Sequence, residues 1–68
     1  MDNFGRCLEN LMKEHGWTVA NRLKNGVMMR SPDGKEEFCI SGKTNMHVQV
    51  AEQLGLDPDK VLEKCLQQ

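Results

Sequence analysis

"KNGVMMRSPDGKEEF", residues 24–38, sets one short apolar run between two turn signals, Asn25-Gly26 and Pro32-Asp33-Gly34. Asn-Gly suits a type I′ turn, whose two central residues need positive φ, so it predicts a hairpin pairing Lys24 with Val27 and Leu23 with Met28. The second signal predicts a type I turn closed by a glycine bulge, with Arg30 opposite Glu36 and Met28 opposite Phe38. Side chains alternate across a strand, so this register places Val19, Leu23, Met28, Phe38 and Ile40 on one apolar face, with Asn21 the one polar intrusion. The other face is expected to carry Arg22, Lys24, Val27, Met29, Glu37 and Cys39.

Helical patterns flank this centre. Phe4, Leu8, Leu11, Met12 and His15 recur at the spacing of an amphipathic helix, which Asp2 or Asn3 can cap and Gly16 can end. From Trp17 the pattern alternates, as a half-buried strand does. After Gly42-Lys43, Thr44 or Asn45 can cap a second helix with the stripe Met46, Val50, Ala51 and Leu54, ended by Gly55. Asp57-Pro58 opens a third helix, whose apolar side is Val61, Leu62, Cys65 and Leu66. The expected fold is α+β, in the order α-β-β-β-α-α. A three-stranded antiparallel meander with one apolar face requires the helices to pack on that face.

With 68 residues, the chain is expected to form a single domain, 1–68. Apolar residues make up 38% and the net charge is −1, values that exclude disorder driven by charge. The start, MDNFGRCLEN, lacks a basic region followed by an apolar core, and no run approaches the roughly 18 apolar residues of a membrane span. The expectation is a cytoplasmic protein without membrane contact.

Cys7, Cys39 and Cys65 are odd in number, far apart and without a C-x-x-C pair, and read as buried reduced thiols. Neither a metal site nor a cofactor is expected, since the local ligand spacing of His and Cys that marks such sites is missing.

The α-β-β-β-α order resembles double-stranded-RNA-binding domains and the small HicA-type toxins that share their fold. Gly16-Trp17, Pro32-Asp33-Gly34 and Gly55-Leu56 carry the resemblance to HicA-type sequences, over roughly residues 8–56. It implies a ribonuclease whose histidine stands in a Gly-Ser-His stretch opening the second strand. Counted back from Pro32, that position is Gly26, and no histidine lies between His15 and His47. The Pro-x-His that ends the family's third strand is replaced by Ser41-Gly42-Lys43. RNA cleavage needs a group that moves a proton near neutral pH, so no enzymatic activity is expected.

Residues 17–43 carry a net charge of +2, against −1 for 1–16 and −2 for 44–68. Arg22, Lys24, Lys35 and Lys43 are therefore the candidate RNA contacts. Stacking aromatics are missing from that set, because Trp17, Phe4 and Phe38 fall on core faces. The stretch "VQVAEQLGLDPDKVLEKCL", residues 48–66, has the small, turn and apolar spacing of a helix-turn-helix, but its second helix starts with acid, which a DNA duplex repels. His47 has no Asp or Cys close by in sequence to pair with.

Val27, Met29 and Cys39 on the uncovered sheet face, beside unpaired edge strands, are the candidate protein contacts, because flexible Met suits adaptable interfaces. The first functional expectation is a non-catalytic module binding a protein partner or itself, as a homodimer. The alternative is a duplex-RNA-binding module, and the third is a helix-turn-helix DNA binder.

Overall fold

The computed structural model describes residues 2–43 and 45–66. Its elements are α1 (Asn3–Glu14), β1 (Thr18–Leu23), β2 (Gly26–Arg30), β3 (Glu37–Ser41), α2 (Met46–Leu54) and α3 (Pro58–Leu66). The strands form one antiparallel sheet in the order β1-β2-β3, so the expected α+β meander is observed.

The helix ends follow the local chemistry. Asp2 Oδ1 accepts the Gly5 N–H at 2.8 Å at the start of α1. Gly16, at φ +92°, turns the chain out of that helix, and Gly55, at φ +70°, does the same for α2. Asn45 occupies the N-cap of α2 without a side-chain cap bond. Thr44, the other expected cap, lies outside the described residues. Asp57 Oδ1 accepts the Asp59 N–H at 2.9 Å, with Pro58 at the first helical position, where no N–H is needed.

The register of β2 differs from the expectation, and with it the candidate contact residues. Leu23 pairs with Gly26, so the turn is Lys24-Asn25 rather than Asn25-Gly26. Neither Asn25 nor Gly26 has positive φ, which a type I′ turn there would need. The β2–β3 loop is one residue longer than expected: the Ser31 N–H bonds the Glu36 carbonyl, Gly34 sits at φ +76°, and Arg30 pairs with Glu37.

A shift of one residue turns a strand over. Val27 and Met29, expected to face outward, are fully buried, while Met28, expected inside, is half-buried on the open face. The β2–β3 pairing moves by one residue and so inverts β2 relative to β3, with Phe38 and Ile40 keeping their inward positions opposite Met29 and Val27, while the β1–β2 pairing moves by two and keeps Leu23 on the face of Met28. In β1 a bulge between Val19 and Asn21 absorbs the difference. Val19 stays inside against Met29, whereas Asn21 and Leu23 turn outward and Leu23 is 45% exposed. The expected register would have buried the Asn21 amide; the observed one puts it in water, and Leu23 with it.

Gly26 is required by the sheet rather than by a turn. A Cβ there would collide with the carbonyl oxygen of Ile40. The inner face, with Val27, Met29 and Ile40, closes on Leu8, Leu11 and Met12 of α1, Met46, Val50 and Ala51 of α2, and Val61 of α3.

The cysteines correct a further expectation. Cys7 and Cys65 are buried, as read, but they form a disulfide between α1 and α3, with Cα atoms 5.6 Å apart. Their separation of 58 residues conceals a pairing that exists only because the last helix returns beside the first. Cys39 keeps a free thiol.

Candidate functional site

Two surfaces carry the chemistry: the open face and edge of the sheet, and a cleft between α1 and the β1–β2 hairpin. On the open face stand Leu23, Met28 and Cys39, with Asn21, Arg30, Glu37 and Ser41 around them. Arg30 Nη2 lies 3.0 Å from Glu37 Oε2 across β2 and β3. Of the three expected contacts Val27, Met29 and Cys39, only Cys39 faces this side, where it is half-buried.

The two sheet edges differ. β1 carries the bulge, which breaks the regular run of backbone groups that a new strand would need. β3 pairs without irregularity over its whole length, Glu37–Ser41. The Ser31 N–H to Glu36 carbonyl bond sets the phase of that ladder, making Met29–Phe38 and Val27–Ile40 the mutually bonded pairs. The N–H and C=O groups of Glu37, Cys39 and Ser41 therefore point away from β2, toward the edge.

The cleft, of about 440 Å³, is lined by Arg6, Glu9, Asn10, Lys13, Arg22, Leu23 and Gly26. Glu9 is 3% exposed, and both its oxygens are occupied. Arg22 grips it as a fork, Nη1 to Oε1 at 3.2 Å and Nη2 to Oε2 at 2.9 Å, and Lys13 Nζ reaches Oε2 at 2.9 Å. The Arg22 fork, and then Lys13, hold the Glu9 carboxyl below the ordinary glutamate range against the opposing effect of burial. In return, Glu9 raises the Arg22 guanidinium above its usual value.

Sequence reasoning missed Glu9, since only its i, i+4 relation to Lys13 is visible along α1. Arg22 lies 13 residues away and arrives because the β1 bulge turns it toward the helix.

The four expected RNA contacts do not converge. Arg22 is committed to Glu9. Lys24 in the first turn and Lys43 beyond β3 lie at the end of the sheet where Gly26 pairs with Ser41, while Lys35 lies in the loop at the other end. Gly26, where the resemblance would place a histidine, has no space for any side chain. His47 Nδ1 is buried without a hydrogen-bond partner among the described residues, and its ring stands edge-on to Phe4, with centroids 6.3 Å apart. Among the described residues, no group of three or more His, Cys, Asp or Glu is placed to hold a metal ion. Glu52, Asp57, Asp59 and Glu63 are exposed on and between α2 and α3, interleaved with the exposed Lys60 and Lys64.

No protein-family model, curated protein or solved structure matches the chain. Among the described residues, no helix is long and apolar enough to cross a membrane.

Proposed function

We propose that this protein is a non-catalytic contact module that associates with a second copy of itself by joining β3 to β3. The observation that carries this reading is the outward phase of Glu37, Cys39 and Ser41 on the unbulged edge. A two-fold axis at Cys39 pairs it with Cys39 of the second copy, and Glu37 with Ser41 of the second copy. Every outward N–H and C=O of β3 then gains a partner, and two three-stranded sheets become one.

Charge supports the same register. Lys43, two residues beyond β3, would lie at the end of this pairing near Glu37 of the second copy, opposite in charge to it. The half-buried Cys39, with Met28 beside it on β2, would extend the contact onto the open face. The lack of room for a side chain at Gly26 supports the non-catalytic part of the reading. The buried Cys7–Cys65 disulfide weighs toward an oxidising compartment and against a cytoplasmic one.

Sedimentation equilibrium tests the proposal. The wild type should be dimeric, and Cys39→Pro, which removes an outward N–H and no bond to β2, should be a folded monomer. A wild type that stays monomeric up to about 1 mM, the weak end of specific association, ends the proposal.

A second reading, duplex-RNA binding, draws support from the placement of Lys24 and Lys43 at one end of the sheet. It predicts binding that falls steeply with salt and is lost in Lys24→Glu/Lys43→Glu. No binding at about 50 mM salt removes it.

A further inference from the structure

We infer that the cleft between α1 and the β1–β2 hairpin is a binding site for a small phosphomonoester, with the phosphate on Arg6, Lys13 and Arg22. Three cations face one carboxylate there, leaving a net charge of +2 in the cleft. A phosphomonoester carries about −1.5 to −2 near pH 7 and matches it.

The arrangement is prepared for such a ligand. Arg6, Asn10 and Lys13 follow at i, i+4 and i+7 on one side of α1, so all three look across the same opening. Arg22 is fixed by the buried Glu9, yet each terminal nitrogen uses one N–H on that carboxylate and retains another, and the side chain is 62% exposed. A guanidinium already held in place loses less freedom when an anion docks. Glu9 accepts from both Arg22 and Lys13 and is buried beneath them, so the cations and not the carboxylate face the opening.

Arg6 is exposed and has no carboxylate partner among the described residues. The volume of about 440 Å³ exceeds what a bare phosphate fills and falls in the range of small-molecule sites. Asn10 and the aliphatic side of Leu23 are left to contact the body of the ligand. That combination points to a molecule of mononucleotide size carrying one terminal phosphate.

The test is an NMR titration of the full, oxidised chain with AMP, inorganic phosphate, adenosine and a short duplex RNA. AMP should produce saturable shifts confined to the amides of residues 6–13 and 22–26, and adenosine should produce none. Arg6→Gln and Lys13→Gln, both at exposed positions, should each weaken AMP binding by about tenfold, the worth of one charge-assisted hydrogen bond. Cys39→Pro should leave it unchanged, which separates this site from the proposed self-association.

Four results would overturn the inference: no saturable AMP shifts at about 10 mM, a concentration beyond useful affinity; inorganic phosphate binding as tightly as AMP; binding of duplex RNA alone; or indifference to both substitutions.

Discussion

Met28 and Met29 are adjacent, chemically identical and opposite in fate. Met29 is fully buried between Val19 and Phe38, and Met28 lies half-covered on the open face between Asn21 and Cys39. Met29→Ala should therefore cost about 2–5 kcal/mol in denaturant unfolding, and Met28→Ala well under half of that. Equal costs, or the reverse order, would mean that β2 has the register its turn signals suggest. Gly26→Ala tests the same strand from the other side. Its new methyl group meets the Ile40 carbonyl oxygen, and an overpacked backbone contact of this kind should cost about 1–3 kcal/mol.

The contribution of Glu9 depends on pH. Its carboxyl is held below the ordinary value of 4.5 by Arg22 and Lys13, so the folded state binds the proton less readily than the unfolded chain. The stabilisation is complete above about pH 4.5 and is lost as pH falls through the lowered folded value. Urea unfolding of the wild type should thus weaken below pH 4.5 more than that of Glu9→Gln, which has no carboxyl to protonate at this position. Parallel pH profiles would show that the Arg22 fork contributes nothing to folding.

At the scale of elements, the two edges of the sheet divide the work. The β1 bulge disables one edge while turning Arg22 toward Glu9, so a single extra residue both shapes the cleft and guards against pairing on that side. β3 remains a regular strand of five residues with alternate backbone groups facing out. If β3 is the interface, Glu37→Lys should weaken the dimer, because the introduced ammonium would then face Lys43 of the second copy. Adding Lys43→Glu should restore it, which separates specific pairing from general stickiness. The helices show where local chemistry suffices: Asp2, Gly16, Gly55 and Asp57 act through contacts within a few residues and were legible from spacing alone.

For the whole molecule, the Cys7–Cys65 bond ties the first helix to the last. Closing a loop of 58 residues restricts the unfolded chain and on loop-entropy grounds contributes about 4 kcal/mol, a large share for a domain of this size. Reduction, or Cys7→Ala/Cys65→Ala, should lower the thermal midpoint by more than about 10 °C, at roughly 4–8 °C per kcal/mol for a small domain. A midpoint that does not move on reduction would mean that the bond is absent in solution. Cys39 should remain reactive to thiol reagents in the oxidised protein, as a half-buried free thiol on the open face.

Local pattern was enough for the order of elements, the region where each helix starts, the inward positions Leu8, Leu11 and Met12 of α1 though not the exposed His15, the inward positions of α2 and β3, and the burial of Cys7 and Cys65. Each depends on periodicity or on a cap, which act over a few residues. Which way β2 faces, where β1 bulges, that Glu9 receives Arg22 and that Cys7 meets Cys65 depend on contacts between elements distant in the chain. Those outcomes compare whole arrangements. Turning β2 over replaced Met28 by Met29 in the core and brought Val27 in, while β1 released Asn21 to solvent and left Leu23 exposed, a balance invisible to a two-residue turn signal. For the same reason Val27 and Met29, expected to face outward, became core, and Leu23, Met28 and Cys39 are the apolar side chains left on the open face.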